Sequence, residues 1–205
     1  MQPQWLAWAQ KLQALAQSGL AYSQNVYDTE RYEAIRDIAA EMVAGCTGVD
    51  PEFVRQIFGA QVGYATPKVD VRGVIFRDGR VLLVRERQDG LWTLPGGWAD
   101  VNESPAEATE REVYEESGYS ARATRLLALY DRNKHGHPPY LFPIYKLFMQ
   151  CEITGGAPAQ SVETAEVDFF PVDALPELSV TRVTATEIER LYELTEHPDW
   201  PADFD

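Results

Sequence analysis

Apolar residues in the first sixty positions recur at helical spacing. One group returns every three or four residues and predicts an amphipathic helix that ends at Gly19. Its members are Trp5, Trp8, Leu12 and Leu15. A second helix is predicted after Thr29 and before Gly45, and a short third one starts at Asp50, which can cap it, with Pro51 in the first turn. The apolar face of the second helix consists of Tyr32, Ile35, Ile38 and Met42.

From Val69 onward, apolar and polar residues alternate, as is typical of β-strands. The dipeptide Asp78-Gly79 predicts a two-residue hairpin that leads into the apolar run 81–84. Further strands are predicted over residues 125–130, 140–153 and 167–170. The alternation therefore predicts a sheet-forming region that is distinct from the helices before it.

The change of period between residues 63 and 68 marks a domain boundary. We assign residues 1–64 to a small all-helical domain and residues 65–205 to an α/β domain. One helix in the middle of the strands and an amphipathic helix over residues 184–196 predict a mixed sheet that is covered on both faces. The acidic tail from Pro198 is expected to fray.

The middle helix follows a glycine-rich loop and carries a cluster of carboxylates. Ser104 and Glu107 can form a capping box with Pro105 at the first helical position, and Gly118 ends the helix. Three glutamates at positions i, i+3 and i+4 share one edge of this helix. They are Glu112, Glu115 and Glu116. An ordinary acidic surface would alternate its charges, whereas clustered carboxylate oxygens are the ligands that Mg²⁺ or Mn²⁺ requires.

The spacing around this cluster resembles the signature of the Nudix hydrolase family. The matching positions are Gly97, Glu103, Arg111, Glu112, Glu115, Glu116 and Gly118. One position departs from the family pattern, because Tyr119 stands where an aliphatic residue is usual. The resemblance implies a Nudix-type α/β/α sandwich. The segment Trp5 to Ala9 and the helices that contain it look like the amino-terminal extension of one subgroup.

By resemblance, the helix glutamates would bind a divalent metal ion, Mg²⁺ or Mn²⁺, and take part in catalysis. The proposed ligands are Gly96, through its carbonyl, and the side chains of Glu112, Glu115 and Glu116. Glycines at 96 and 97 suit a sharp turn that lets the backbone approach an ion. Bound metal neutralises phosphate charge and activates a water molecule. Glu103 and Arg111 resemble the structural ion pair of the family.

Several residues outside the signature are further candidates for the site. The general base could come from the helix or from a later loop, in which Glu166 is our candidate and Glu163 is its neighbour. A plain solvated loop is the alternative there. Three arginines on strands that lead into the signature could bind phosphate, although salt bridges at strand ends would account for at least two of them. They are Arg72, Arg85 and Arg87. The loop over residues 131–139, with His135 and His137, is either a substrate edge or simply exposed.

The leading interpretation is a pyrophosphohydrolase that acts on a nucleoside diphosphate linked to another group. ADP-ribose and CDP-choline are examples, and the products would be a nucleoside monophosphate and a phosphorylated remainder. In one group of ADP-ribose-hydrolysing members of the family, a proline follows the signature by some fifteen or sixteen residues. This proline is missing from residues 132–134, which weakens the case for ADP-ribose as the substrate. The alternatives are a housecleaning nucleoside triphosphate pyrophosphatase and a non-catalytic nucleotide-sugar sensor with a Nudix fold.

Composition narrows the expected partners. A formal net charge of -14 over 205 residues argues against nucleic acid as a partner. No stretch approaches the roughly 20 apolar residues of a membrane span, and the start lacks a signal-peptide pattern, so we expect a cytoplasmic protein without a membrane partner. Cys46 and Cys151 are expected to be reduced, packed thiols rather than a disulfide. Because about sixty residues make a marginal core, we expect the helical domain to form a homodimer.

Overall fold

A computed structural model describes residues 2–205 of the chain. These residues form two units. The helical unit comprises the chain up to Pro67 together with the segment Pro139–Pro143, and the α/β unit comprises Lys68–Pro138 and Ile144–Asp205. Nothing in the hydrophobic pattern indicated that five residues from the middle of the chain would join the amino-terminal helices.

Three helices make up most of the helical unit, as the sequence predicts. They are α1 (Gln4–Tyr22), α2 (Val26–Thr47) and α3 (Pro51–Gly59). The prediction that α1 ends at Gly19 was wrong, since the helix continues to Tyr22. Gly19 instead leaves space for the Tyr32 ring, because a Cβ at this position would lie 2.3 Å from the ring. α2 begins early because Asn25 caps it. It also runs past Gly45 and ends at Gly48, which has a left-handed φ of 74°.

Small side chains form most of the buried surface of α1 and α2. The buried apolar residues on these helices are Leu6, Ala9, Ala16, Ala39, Ala40, Val43 and Ala44. The predicted apolar face of α1 is therefore divided: Trp5 and Leu12 pack against the core, whereas Trp8 and Leu15 are 56% and 55% exposed. Ile38, from the predicted face of α2, is also exposed. Alanine lets the two helices approach closely, and the larger side chains beside the contact are turned outward.

The segment Pro139–Pro143 completes the core of the helical unit. Leu141 and Phe142 pack against the buried cluster of this unit. The Phe142 ring meets the Phe58 ring of α3 edge-on, with the centroids 6.4 Å apart. The helical core is therefore built from residues that are far apart in sequence.

The strands of the α/β unit are β1 (Lys68–Val74), β2 (Phe76–Arg77), β3 (Arg80–Glu86), β4 (Trp92–Thr93), β5 (Tyr119–Asp131), β6 (Ile144–Gly156), β7 (Thr164–Pro171) and β8 (Asp203–Phe204). They form two four-stranded sheets. The first has the order β1-β6-β5-β8 and is mixed, because β6 is parallel to β1 and antiparallel to β5. In the second, β3 pairs antiparallel with β2, β4 and β7, and the predicted Asp78-Gly79 hairpin joins β2 to β3.

Two helices cover the sheets: α4 (Pro105–Ser117) and α5 (Ala185–Glu196). Neighbouring residues of β3 divide between them, since Leu82 lies in a cluster with Val113 of α4 and Leu83 in a cluster with Leu191 of α5. Side chains alternate between the two faces of a strand, so the helices cover opposite faces. The predicted α/β/α sandwich with a mixed sheet is confirmed.

The carboxyl-terminal tail was predicted to fray, and this prediction was wrong. Residues Asp203–Phe204 form β8 and pair with β5. The Asp203 carboxylate accepts hydrogen bonds from the Tyr130 hydroxyl at 3.0 Å and from Arg190 Nε at 2.7 Å. Asp205 Oδ1 lies 3.0 Å from Nε2 of His135. The acidic side chains of the tail thus meet donors from distant elements, which the local composition does not reveal.

Within residues 2–205, no helix combines the length and the apolar character that a bilayer crossing requires. Both cysteines are free thiols, as predicted. Cys151 is buried in the α/β unit, as predicted, but the prediction that Cys46 is packed was wrong, because Cys46 is exposed in the helical unit.

Candidate active site

The glycine-rich loop after β4 is held against β1. Carbonyls on either side of Gly96 accept hydrogen bonds from β1: Gly73 N–H donates to Pro95 and Val71 N–H donates to Gly97, both at 2.8 Å. Gly96 has a φ of 144°, and a Cβ there would lie 2.0 Å from the Val71 carbonyl oxygen. Only glycine fits this approach, so the chain turns at a position fixed by β1.

The ends of α4 are as the sequence predicts. The Ser104 side chain accepts the N–H of Glu107 while Glu107 accepts the N–H of Ser104, which completes a capping box. Gly118 follows the last turn with a left-handed φ of 77°. Thr109 and Val113 are buried, so the register of the helix is fixed. This register turns the edge that carries Glu112 and Glu116 toward the glycine loop.

Glu116 is the most enclosed of the α4 carboxylates. It is 5% exposed, and its Oε2 accepts the N–H of Gly96 at 2.8 Å. Burial raises the pKa of Glu116 to about 8, although the positive charge of Arg72 and the Gly96 hydrogen bond act in the opposite direction. The nearby charges of Glu86 and Glu112 add to the rise.

Glu112 lies beside the second glycine of the loop. A Cβ at Gly97 would stand 3.1 Å from Glu112 Oε1, so the absent side chain leaves room for this carboxylate. Burial raises the pKa of Glu112, and its hydrogen bond with Arg111 opposes the rise. Two carboxylates that are costly to ionise thus converge on the Gly96-Gly97 backbone.

Arg111 organises the exposed edge of the cluster. Its Nε and Nη2 each donate to Glu103 at 2.9 Å, and its Nη1 donates to Glu112 at 2.9 Å and to Glu115 at 3.1 Å. These contacts raise the pKa of Arg111 above its already high usual value, chiefly through the hydrogen bonds with Glu103. The pairing of Glu103 with Arg111 is the one that the sequence predicts. Glu115, whose side chain is 56% exposed, is held by the same guanidinium.

A divalent metal ion such as Mg²⁺ requires hard oxygen ligands that converge on one point. Across residues 2–205, no three His, Cys, Asp or Glu side chains converge as a formed metal-binding group. Glu112 and Glu116 nevertheless offer hard carboxylate oxygens beside a backbone turn without side chains. Because burial penalises both negative charges, a cation placed between them would relieve that penalty. These residues fit a divalent cation.

The predicted phosphate-binding arginines all contact groups of the chain itself. Arg72 is buried against Asp70. Arg85 donates to Glu166 at 2.7 Å, which unites two predicted site residues across β3 and β7. Arg87 donates to the Ser161 carbonyl at 3.1 Å. The described contact of the Glu166 carboxylate is thus with Arg85 and not with the α4 glutamates.

Sequence reasoning missed Glu86, a buried carboxylate at the end of β3. The pairing register shifts between Arg85 and Glu86, as at a β-bulge, and such shifts re-aim side chains. Burial raises the pKa of Glu86, and the positive charges of Arg182 and Arg72 oppose the rise. The available signal was a lone acidic residue soon after the four-residue apolar run 81–84.

Comparison with known families identifies the class of protein to which this fold and site belong. Residues 66–191 match the family model described as the NUDIX domain, and residues 3–58 match a model described as a UDP-X-like, N-terminal oligomerisation domain. The chain therefore belongs to the Nudix hydrolase family. Hydrolases of this family generally need divalent metal ions.

Within this family, the chain is similar to proteins named as pyrophosphatases or diphosphatases. The chain is 45% identical over 205 residues to the Bacillus subtilis protein named "Putative ADP-ribose pyrophosphatase YjhB", covering 100% of this chain and 99% of that one. It is 32% identical to a crystal structure of UDP-X diphosphatase, which covers 98% of both chains with a TM-score of 0.66. A crystal structure of an ADP-ribose pyrophosphatase from Streptococcus suis is 38% identical, covering 68% of this chain and 100% of that chain with a TM-score of 0.63. The protein is thus a Nudix hydrolase similar to pyrophosphatases.

Proposed function

We propose that the protein is a Mg²⁺- or Mn²⁺-dependent pyrophosphohydrolase that cleaves a nucleoside diphosphate linked to another moiety. Candidate substrates are ADP-ribose, CDP-choline and UDP-linked compounds. Water adds to one phosphorus and the bridging P–O bond breaks, which yields a nucleoside monophosphate and a phosphorylated remainder. The observation that carries the proposal is the convergence of Glu112 and Glu116 on the Gly96-Gly97 turn. Similarity to proteins named as ADP-ribose pyrophosphatases and as a UDP-X diphosphatase supports the same reaction.

The residues of the site divide into three proposed roles. Glu112 and Glu116 would hold the metal ion with the Gly96 carbonyl, which lies between two carbonyls that β1 engages. When bound, the ion supplies positive charge that offsets the diphosphate and polarises the attacking water. That water must lose a proton, and the exposed carboxylates of Glu115 and Glu166 are the candidate acceptors. Glu115 would also become a ligand when its contact with Arg111 opens.

Phosphate binding is proposed for Arg85 and Arg87. Both lie on or just after β3, and the side chain of Arg85 is partly exposed although it also contacts Glu166. A guanidinium can donate two parallel hydrogen bonds to a phosphate, which suits a diphosphate substrate. Arg72 was predicted in the same role, and its enclosure among groups of the chain favours a different one.

A substrate panel tests the proposed reaction. Purified protein is incubated with ADP-ribose, CDP-choline, UDP-glucose and nucleoside triphosphates, each with Mg²⁺, with Mn²⁺ and with chelator. We expect a nucleoside monophosphate and a phosphorylated product from at least one diphosphate conjugate, and none with chelator. Release of inorganic pyrophosphate from triphosphates alone would favour the housecleaning alternative. Tight binding without turnover would favour a sensor.

We infer that the helical unit forms a homodimer through the outward side of α1. Trp8, Leu15 and Tyr22 are exposed and recur every seven residues, so they lie along one stripe of the helix. Leaving such side chains in water is unfavourable by about 1.5–3 kcal/mol for each one that could be buried. The description of the matching family model as an oligomerisation domain supports the inference.

We also propose that the protein is cytoplasmic.

Light scattering on matched variants tests the dimer. Trp8→Glu combined with Leu15→Glu should reduce the mass from two chains to one, because two charges would enter the proposed contact. Val62→Glu is the control, since Val62 is 84% exposed in the same unit but lies outside α1. A single-chain mass for the wild type at micromolar concentration would contradict the inference.

A further inference from the structure

Arg72 is an enclosed cation on β1. Its Nη2 and Nε donate to the Asp70 carboxylate at 2.8 and 3.2 Å, and its Nη1 donates to the Leu94 carbonyl at 3.1 Å. The residue is 5% exposed, so its guanidinium lies among groups of the chain rather than in solvent. A phosphate would have to displace these acceptors, and the planar fork of arginine already matches the carboxylate.

The contact with Leu94 connects Arg72 to the glycine loop. Leu94 immediately precedes Pro95 and Gly96, and the neighbouring residues of β1, Val71 and Gly73, hold the same loop through their backbone N–H groups. Arg72 therefore fixes the start of the turn by its side chain while β1 fixes the remainder by its backbone. Within the same turn, the N–H of Gly96 donates to the Glu116 carboxylate.

The anchor of Arg72 has a second cation. Lys146 of β6 is 1% exposed, and its Nζ donates to Asp70 and to the Arg182 carbonyl. Asp70 is thus shared by two buried positive charges, and Arg72 also acts on two further carboxylates, since it acts to lower the pKa of Glu116 and that of Glu86. A buried charge in excess is costly unless a partner of opposite sign is close. Beside Asp70, Glu116 and Glu86 are such partners for Arg72, and Glu116 is the one that also contacts the glycine loop.

We propose that Arg72, anchored by Asp70 and Lys146, is a positioning residue that holds the Leu94–Gly97 turn and Glu116 in the arrangement needed for hydrolysis. This inference rests on the proposed hydrolase function and changes the role of Arg72 from substrate contact to support of the site. It predicts an effect on kcat and on the order of the turn, with little effect on KM.

Hydrogen exchange and kinetics on three variants test the proposal. In Arg72→Met, amide exchange in the peptide over residues 92–100 should be at least about tenfold faster in metal-free protein, because the Leu94 contact is lost. The kcat for the substrate found in the panel should fall about 100-fold, as expected for misplaced site groups, while KM changes less than about threefold. The amide exchange rate and the kcat of Arg72→Lys should lie between those of the wild type and of Arg72→Met. Lysine restores the positive charge, but it cannot donate to Asp70 and Leu94 at the same time as the planar guanidinium does.

Arg122→Met is the matched control, since Arg122 is exposed on β5 and should leave exchange and kcat unchanged. An Arg72→Met protein with wild-type exchange in the turn, or with unchanged kcat and a raised KM, would overturn the proposal. Should Arg72→Met fail to fold, Arg72→Lys decides in the same way: wild-type exchange and kcat refute the proposal, and faster exchange with lower kcat supports it. A wild type that hydrolyses nothing contradicts the proposed function, and the exchange experiment still tests whether Arg72 orders the turn.

Discussion

The two units of this protein bury different kinds of side chain. Among the described residues, the α/β unit encloses a set of charged groups, whereas the buried polar side chain of the helical unit is Gln13. The enclosed charged residues are Asp70, Arg72, Glu86, Glu116, Arg132, Lys146 and Glu187. Buried charge is costly and is weak evidence for stability, so the two enclosed charged side chains that contact the glycine loop, Arg72 and Glu116, are better explained by chemistry. The helical unit, with its alanine-lined contact, is built for packing.

Removing one carboxylate charge from α4 should show most clearly that the buried charges of the α/β unit serve catalysis rather than stability. We expect Glu116→Gln to keep the fold and to lower kcat by at least about 100-fold, since several kcal/mol of transition-state stabilisation depend on the ligand charge. Circular dichroism and steady-state kinetics measure both properties. Glu189→Gln, at an exposed position of α5, is the control for removing a carboxylate and should be silent. A fully active Glu116→Gln enzyme would contradict the proposed metal site.

A methyl group at the glycine turn tests how tightly the site is built. Gly96→Ala should destabilise the α/β unit by about 2–4 kcal/mol, because the Cβ would collide with the Val71 carbonyl and the φ of 144° suits glycine alone. Gly136→Ala is a matched control. Gly136 also has a positive φ, of 78°, but no atom lies within 4 Å of its Cβ position, so a cost of about 1–2 kcal/mol is expected. Chemical denaturation measures the free energy of unfolding of both variants. Equal losses for Gly96→Ala and Gly136→Ala would show that the close approach of Gly96 to the Val71 carbonyl is unimportant.

The dependence of stability on pH should expose the cost of the buried carboxylate. The folded-state pKa of Glu116 is raised from 4.5 to about 8, so its stabilising contribution in metal-free protein is present below pH 4.5 and is lost as the pH rises through 8. Each tenfold difference in proton affinity between the folded and unfolded states corresponds to about 1.4 kcal/mol. Mg²⁺ binds the ionised form, so its effect on the melting temperature should grow between about pH 6 and pH 9.

Melting curves with Mg²⁺ and with chelator, at matched ionic strength, measure this growth. In Glu116→Gln, the dependence on pH across this interval should be reduced, since the glutamine does not titrate. A stabilisation by Mg²⁺ that is constant from about pH 6 to pH 9 would argue that Glu116 does not lose a proton when the ion binds.

In the helical unit the smallest effects are expected, and they should depend on packing alone. Gly19→Ala should destabilise this unit by about 1–3 kcal/mol, because the added methyl group would lie 2.3 Å from the Tyr32 ring. Gly45→Ala, within α2 and with no atom within 4 Å, should instead stabilise it by about 0.5–1 kcal/mol through helix propensity. Thermal melts measure both effects, as a lower melting temperature for Gly19→Ala and a higher one for Gly45→Ala. The kcat per chain should be unchanged in both variants.

The sequence predicted the loop and α4 better than it predicted the packing of α1 and α2. Ser104, Pro105 and Gly118 act locally, through hydrogen bonds and backbone conformation within one or two turns, so their effect can be read from neighbouring residues. The helical faces depend on which helix lies opposite. The sequence placed Trp8 on one apolar face with Trp5 and Leu12, whereas alanines such as Ala9 form the buried contact and Trp8 is exposed.

Contacts between distant residues were the other source of error. The tail was expected to fray because it is acidic, but Asp203 finds Tyr130 and Arg190, which lie 73 and 13 residues away in the chain. The Asp70 carboxylate that binds Arg72 is likewise shared with Lys146, which a different strand brings to it. Strand register brings Lys146 to Asp70, and the pairing of β8 with β5 together with the packing of α5 brings Tyr130 and Arg190 to Asp203. A local sequence pattern contains neither kind of information.

The path of the chain through the segment Pro139–Pro143 affects how this enzyme can be divided or recombined. A fragment that stops at Pro67 lacks Leu141 and Phe142, and a fragment that starts at Lys68 carries those two side chains without the helices on which they pack. The helical unit is therefore not a detachable module. Transplanting it to another protein requires two separate pieces of sequence, and a boundary drawn by matching its amino-terminal part alone leaves the core incomplete.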